Sequence, residues 1–219
     1  MDDLKGYLFG SISGIFQNGV TYPLDTLKTR SQNKNIIRSN FFAGIVESTI
    51  ATVLTTSIGF GTNELAKKYV DSEYKSGFIA GIVNSFICTP LETIKIQKQL
   101  NLKYNYNNIF RGFKPTFCRE TIGNSIYFGT YRKLLNKTEK TKFDIMMIGG
   151  ISGSLSWLFT FPIDVIKTRV QSGMTYEESI KAGKFSNGLG YCLLRSFIGN
   201  GLGFLVYEQL NEKFYKNNF

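Results

Sequence analysis

Histidine is absent from the 219 residues, and cysteine and tryptophan are scarce, with three copies and one copy. Histidine is the most frequent metal ligand and general base near neutral pH, so its absence argues against most zinc sites and most acid–base enzymes. The cysteines lie far apart in apolar stretches without a Cys-x-x-Cys pair, which predicts buried, reduced thiols rather than a disulfide framework or zinc knuckle. We therefore expect that the protein is not an enzyme and that it binds no metal or other cofactor.

Charge is missing from several long stretches of the chain, although the whole carries a net charge of +10. The uncharged segments are 6–24, 48–63, 77–91, 121–131 and 145–163, and the segment 185–207 contains one charge, Arg195. Several approach the ~20 residues that a helix needs to cross a bilayer. Their many Gly, Ser, Thr and Asn residues are typical of helices that face one another or a watery cavity. Lys and Arg lie at the ends of these segments rather than in one patch, which argues against a nucleic-acid partner.

Proline is rare, and three of the four copies begin one repeated motif. The copies read "TYPLDTLKTRSQ" (21–32), "CTPLETIKIQKQ" (88–99) and "TFPIDVIKTRVQ" (160–171), starting from Pro23, Pro90 and Pro162. Each proline has an acid two residues later, Lys five later and Gln nine later, and glycines thirteen and nine residues before it. These matches predict a single domain of three repeats, approximately 1–70, 71–140 and 141–219.

The repeats predict six long helices in three hairpins, roughly 4–31, 43–69, 75–99, 115–135, 143–171 and 187–215. A proline inside a membrane helix bends it. We expect the charged ends of the first, third and fifth helices to converge below a central cavity. The fold class predicted is an all-α membrane protein with six transmembrane helices in pseudo-threefold arrangement, and short surface helices within 32–42, 100–114 and 172–186. The start Met1-Asp2-Asp3 predicts no signal peptide or Arg-rich presequence.

The triple Pro-x-[Asp/Glu]-x-x-[Lys/Arg] motif resembles the mitochondrial carrier family, and the resemblance covers essentially the whole chain. It implies a compact multi-pass carrier of the mitochondrial inner membrane that works by alternating access, with short helices on the matrix side. The turn "FRG" (110–112) resembles the family's cardiolipin-binding turn, in which helix-start N–H groups meet phosphate. The first repeat departs from this pattern, because it reads "NFFAG" (40–44).

The resemblance implies a matrix gate made of three interhelical ion pairs. The expected pairs are Lys28 with Glu92, Lys95 with Asp164, and Lys167 with Asp25. Three glutamines match the positions that brace these pairs in the family, namely Gln32, Gln99 and Gln171.

The family's opposite gate, on the cytoplasmic side, matches this chain poorly. Its residues would be Glu64, Lys67, Arg132 and Glu208, and only the pair of Lys67 with Glu208 is complete. We therefore expect a weak cytoplasmic gate and a resting state open to that side.

The family binds substrate thirteen residues before the acid of this second motif. That spacing assigns the substrate site to Ala51, Arg119, Glu120 and Arg195. Ionisable residues at mid-span are costly and mark function. Two arginines can hold phosphate or carboxylate oxygens in bidentate fashion.

The sequence leaves the substrate open between two classes. The arginines and the net positive charge favour exchange of nucleotides, for example deoxynucleoside triphosphates such as dATP. The richness in Asn, Ile and Lys also resembles the short carrier-like proteins of giant DNA viruses of amoebae, which would act in the host mitochondrion. Glu120 instead favours an amino-acid-like or cationic metabolite such as S-adenosylmethionine.

Two other classes of protein remain as alternatives. One is a non-transporting membrane adaptor, suggested by the incomplete cytoplasmic gate, and the other is a soluble, basic nucleic-acid-binding protein.

We expect a monomer whose partners are a small anionic substrate and membrane lipid, cardiolipin in particular. Aromatic residues such as Phe16, Trp157 and Phe161 could stack on a base, but such stripes more often pack or contact lipid.

Overall fold

The computed structural model describes residues 2–32, 41–42, 44–100, 102, 108–135 and 141–216. Within them it contains six long helices and one short helix, and no strand. Their bounds are α1 (Asp2–Gln32), α2 (Ile45–Lys67), α3 (Glu73–Gln99), α4 (Phe113–Leu135), α5 (Lys142–Gln171), α6 (Tyr176–Lys181) and α7 (Leu189–Lys216). The all-α prediction is confirmed, and the six predicted long helices begin and end within a few residues of those observed.

The six long helices pack side by side in a closed ring. Each contacts the next in the order α1, α2, α3, α4, α5 and α7, and α7 contacts α1 to close the ring. Helices α1, α3 and α5, each of which contains a copy of the proline motif and which we call the odd helices, also touch one another, more sparingly. Their contacts place the ends of these helices around the centre of the ring.

The ring is apolar outside and polar inside, the reverse of a soluble protein. Large hydrophobic side chains are exposed on all six long helices, among them Phe16, Leu54, Phe86, Ile122, Phe159 and Leu194. The buried residues are mostly Ser, Thr, Asn, Gln and charged side chains. So large an apolar exterior is typical of a surface that faces lipid. By length and composition, two of the described helices, α3 and residues 143–171 of α5, could cross a membrane.

The motif prolines lie inside continuous helices rather than at helix ends. Pro23, Pro90 and Pro162 fall within α1, α3 and α5, and each of these helices ends on the glutamine nine residues later. A threonine one or two residues before each proline donates its hydroxyl to the carbonyl four residues back: Thr21 to Gln17, Thr89 to Ser85 and Thr160 to Ser156. Such bonds bend helices, which supports the inward bend expected from proline alone.

Helices α2, α4 and α7 each begin after a glycine in the left-handed region. Gly44, Gly112 and Gly188 have φ of 82°, 79° and 86°, a conformation that other residues adopt at a cost. Each glycine lies against the carbonyl of a motif lysine on an odd helix, respectively that of Lys95, Lys167 and Lys28. The first repeat therefore keeps the glycine turn, although "NFFAG" lacks the basic residue of "FRG".

The short helix α6 confirms the surface helix predicted within 172–186. Its start is fixed by a capping box, in which Thr175 and Glu178 exchange hydrogen bonds, and these bonds lower the pKa of the Glu178 carboxyl. Buried Arg169 of α5 donates to the carbonyls of Ser179 and Gly183, at 2.9 and 2.8 Å. Residues 33–40 and 103–107, in the other two segments predicted to hold such helices, lie outside the described residues.

Two of the three cysteines are buried as predicted, and the third is not. Cys88 and Cys192 are buried, whereas Cys118 is exposed. Cys118 precedes Arg119 on α4, and successive helical residues point about 100° apart. Because Arg119 and Glu120 both line the interior, Cys118, which points about 200° away from Glu120, is turned toward the outer face.

Candidate functional site

The interior of the ring contains a cavity of 260 Å³ lined by residues from all six long helices. All four residues predicted to bind substrate, Ala51, Arg119, Glu120 and Arg195, line this cavity. The lining also includes the six motif acids and lysines. Among the described lining residues there are five cations and four acids: Lys28, Lys95, Lys167, Arg119 and Arg195, with Asp25, Glu92, Glu120 and Asp164.

The motif acids and lysines form a closed circle of ion pairs at one end of the cavity, which we call the charged ring (Asp25, Lys28, Glu92, Lys95, Asp164 and Lys167). Its pairs are Lys28 Nζ with Asp164 Oδ2 at 2.7 Å, Lys95 with Asp25, and Lys167 with Glu92. Each pair joins two of the odd helices. The ring thus connects α1 with α5, α3 with α1, and α5 with α3.

The predicted partners within the ring are wrong, although the six residues are the right ones. Lys28 pairs with Asp164 instead of Glu92, and the other two lysines are shifted in the same rotational sense. Acid and lysine are three positions apart, so on a helix their side chains point about 60° apart. They therefore face different neighbours, and which neighbour each faces depends on the direction in which the helices follow one another around the ring.

Two of the three glutamines brace the ring as predicted. Gln32 Nε2 donates to Asp164 Oδ2 at 3.0 Å, and Gln99 Nε2 donates to Asp25 Oδ2 at 3.3 Å. Gln171 departs from this pattern, because its Nε2 donates to the carbonyl of Thr89 at 3.5 Å. Its Cγ also lies 3.0 Å from the place that a Cβ on Gly112 would take, so Gln171 packs against the start of α4.

The two cavity arginines extend to the acids of the charged ring, which the sequence did not predict. Arg119 Nη2 lies 3.2 Å from Glu92 Oε1, and Arg119 Nε lies 3.7 Å from Asp164 Oδ1. Arg195 Nε lies 3.6 Å from Asp25 Oδ1. The predicted substrate site and the predicted gate are therefore joined by ion pairs.

Both arginines keep a buried Nε donor whose nearest acid, Asp164 or Asp25, lies beyond hydrogen-bond distance. The Nε atoms of Arg119 and Arg195 are buried and make no hydrogen bond to any part of the chain that the structure describes. Buried polar atoms in native proteins are nearly always hydrogen-bonded. These two N–H groups can therefore donate to an anionic ligand in the cavity.

Glu120 provides the opposite charge next to Arg119. Its carboxylate contacts the Arg119 guanidinium and accepts hydrogen bonds from Asn124 Nδ2 at 2.9 Å and Cys88 Sγ at 3.4 Å. Buried Asn84 also lines the cavity, and its Oδ1 has no donor among the described residues. This side of the cavity is rich in acceptor oxygens, which suit a protonated amine.

A second cluster of charges lies at the opposite end of the helix bundle and includes a residue, Glu73, that was not predicted. Lys67 pairs with Glu64 at 2.7 Å and with Glu73 at 3.3 Å, and Arg132 Nε lies 3.5 Å from Glu73. Glu73, the first residue of α3, was not predicted, because it lies outside the repeated motif. The side chain of Glu208, the expected partner of Lys67, lies outside the described residues.

Comparison with known proteins agrees with the motif. The model of the mitochondrial carrier protein family matches residues 3–40 and 138–183. A mitochondrial carnitine carrier of Saccharomyces cerevisiae is 24% identical, over 98% of this chain and 89% of that protein. A mitochondrial arginine transporter of Arabidopsis thaliana is 27% identical over 91% of this chain and 87% of its own length.

A further relative is mitochondrial ornithine transporter 1 of Schizosaccharomyces pombe, 24% identical over 92% of this chain and 90% of that protein. These likenesses span nearly the full length on both sides and agree with the three motif copies and the helix ring. The chain is thus similar over nearly its whole length to proteins of the mitochondrial carrier family, which supports a multi-pass carrier of the mitochondrial inner membrane.

Proposed function

We propose that this carrier exchanges small amino-acid-like metabolites, which have both a carboxylate and a cationic nitrogen. One observation carries the proposal: the cavity's five cations are offset by four acids, one of which, Glu120, lies beside a predicted substrate-binding arginine. A ligand with charges of both signs matches this lining better than a purely anionic one.

Each end of such a solute has a chemical complement in the cavity. Its carboxylate would accept hydrogen bonds from the Nε donors of Arg119 and Arg195 in place of their longer ionic contacts with Asp164 and Asp25. Its cationic nitrogen would lie near Glu120 and the free oxygen of Asn84. Three of the related proteins are named for carnitine, arginine and ornithine, and each of these solutes carries a carboxylate and a cationic nitrogen.

In the proposed arrangement all six long helices cross the membrane as three pseudo-threefold repeats, with the charged ring on the matrix side. The apolar exterior on every long helix supports six crossings. With the ring closed, the cavity would be open toward the cytoplasmic side. A solute that binds the intermediate state more tightly than the closed state would shift the carrier toward opening the ring.

Nucleotide exchange, which the sequence also predicted, is the rival proposal. Arg119 and Arg195 favour it, because guanidinium groups bind phosphate in bidentate fashion. Against it stand the near balance of charge in the lining and a cavity of 260 Å³, which lies below the ~300–1,000 Å³ typical of drug-sized ligands. A nucleoside triphosphate adds several negative charges without a cation of its own.

Counter-exchange in liposomes separates the two proposals. Purified carrier is reconstituted into vesicles loaded with ornithine, arginine, carnitine, S-adenosylmethionine, ADP or dATP, and uptake of the same labelled solute is measured. We expect uptake of one or more solutes from the first four and none of the nucleotides. Uptake of dATP or ADP alone would overturn the proposal in favour of its rival, and no uptake of any solute would favour the membrane adaptor.

The site assignment is tested with the solute that the panel identifies. Arg195→Ala should reduce exchange by about tenfold or more, since truncating a buried charged partner costs ~2–5 kcal/mol. Lys181→Ala on α6 serves as the control, because Lys181 is an exposed cation outside the cavity. Full activity of Arg195→Ala would contradict the assignment.

A further inference from the structure

The ring of Trp157 is surrounded by three cations from three other helices. Lys28 Nζ of α1 lies 4.1 Å from the ring centroid, and the guanidinium carbons of Arg119 (α4) and Arg195 (α7) lie 5.3 and 5.4 Å from it. Trp157 itself is half-buried on α5 and lines the cavity. One aromatic side chain therefore contacts a lysine of the charged ring and both cavity arginines.

An indole ring suits this position for an electrostatic reason. Tryptophan is the best aromatic partner for cations, since its π face is negative, and contacts within about 6 Å of the centroid are attractive. Three cations that converge would otherwise repel one another. The π face of the Trp157 indole and the acids Asp25, Glu92 and Asp164 together offset that repulsion.

We infer that Trp157 couples substrate binding to the charged ring, by positioning Lys28 for the ring and Arg119 and Arg195 for the substrate. This inference rests on the proposed function, because it requires a solute whose anionic group binds the two arginines. Trp157 is a positioning residue in this account. Contact of its ring with the solute is not required.

The coupling follows from contacts that the arginines cannot keep. An anionic group that binds Arg119 and Arg195 draws them away from the Trp157 ring and from the acids Glu92, Asp164 and Asp25. Those contacts connect α4 with α3, α4 with α5, and α7 with α1. Their loss leaves the charged ring with fewer links between helices, and the surroundings of Lys28 change at the same time.

The contacts can be tested without any substrate, since Trp157 is the only tryptophan in the chain. All intrinsic tryptophan emission of the purified carrier comes from this ring. We expect Lys28→Gln, Arg119→Gln and Arg195→Gln each to shift the emission maximum or intensity, while the control Lys181→Gln leaves the spectrum unchanged. Folding of each variant is checked by its helical circular dichroism. Wild-type spectra in all three folded variants would overturn the inference.

The coupling is tested by exchange in liposomes with the solute found in the panel. We expect Trp157→Leu to lower exchange at least tenfold, and Trp157→Phe to lower it less, because a phenyl ring keeps a weaker attraction for cations. Phe159→Leu, an exposed apolar position on the same helix, should exchange like wild type. Phenylalanine is also larger than leucine, so a space-filling role would give the same order, and the solute titration of the emission is the readout that separates the two roles.

A solute titration connects the two tests. Emission of wild-type carrier should change with half-saturation near the transport half-saturation, and the change should vanish in Arg119→Gln and Arg195→Gln. Wild-type exchange by Trp157→Leu, or a solute that is transported without changing emission, would overturn the coupling. If spectra shift in the substrate-free variants but the panel finds only nucleotide uptake, the proposed function fails while the contacts of Trp157 remain.

Discussion

Asp164 concentrates more contacts than any other acid in the cavity. It pairs with Lys28, accepts a hydrogen bond from Gln32, and lies within ion-pair distance of Arg119 and Lys167. A buried ion pair adds little stability relative to apolar residues, but loss of one partner is costly, about 3–5 kcal/mol, because the other charge stays buried. The ring can therefore be closed and yet open when its charges find other partners.

A double-mutant cycle distinguishes the observed pairing from the one expected from sequence. Unfolding temperatures in detergent are measured for Lys28→Gln, Asp164→Asn and the double variant. Contacting residues couple by about 0.5–3 kcal/mol, so we expect the double variant to be clearly less destabilised than the sum of the single variants.

The matched cycle uses Lys28→Gln with Glu92→Gln, the pair expected from sequence. Its two effects should add more nearly, because Glu92 pairs with Lys167. Stronger coupling of Lys28 to Glu92 than to Asp164 would contradict the arrangement of the ring.

The sequence identified the charged residues of the site but not which of them contact one another. All six ring residues and the four cavity residues followed from motif spacing. The rotational sense of the pairs, the reach of Arg119 to Glu92 and the place of Trp157 did not, because they depend on how different helices face one another. Trp157 carries no motif, and its place among three cations is visible only in three dimensions.

The glycines that precede α2, α4 and α7 fix how these helices meet the odd helices. Gly188 has a φ of 86°, and a Cβ there would lie 3.1 Å from the carbonyl oxygen of Lys28. The start of α7 therefore lies directly on the turn of α1 that contains the ring lysine. A side chain at this position would both strain the backbone and displace that turn.

Gly188→Ala should lower stability by about 1 kcal/mol or more, because alanine rarely adopts positive φ. Thermal unfolding of the purified carrier measures the effect. Gly190→Ala is the control, since Gly190 is helical with open space around it, and alanine there should be neutral or stabilising by about 0.5–1 kcal/mol. Equal effects at the two positions would contradict the close contact of α7 with α1.

Helix bounds were predictable because uncharged segments and the repeated proline motif mark them. The entry to α2 was not recognised as equivalent to those of α4 and α7, since "NFFAG" shares only the glycine and its aromatic neighbours with "FRG". The positive φ of Gly44, Gly112 and Gly188 shows that the three helix entries are equivalent, whereas the residue types around them do not. The two cations that pair with Glu73 were likewise not predicted as its partners. Lys67 comes from the preceding helix α2 and Arg132 from the following helix α4.

The whole molecule combines an apolar outer surface, a polar interior and a charged ring at one end. Three copies of one motif were enough to predict this architecture. The sequence left the substrate class open, because its arginines favour an anion whereas Glu120 favours an amino-acid-like or cationic solute. Only the positions of Glu120 and the ring acids reveal how far the lining neutralises those cations.

The most direct measurement compares ornithine and dATP exchange by wild type, Glu120→Gln and the control Glu177→Gln, an exposed acid on α6. We expect wild type and Glu177→Gln to exchange ornithine but not dATP. Ornithine exchange by Glu120→Gln should be lower by about tenfold or more, because the cationic group of ornithine loses a buried counter-charge. Unchanged ornithine exchange by Glu120→Gln, or dATP exchange by the wild type without ornithine exchange, would contradict the proposed function.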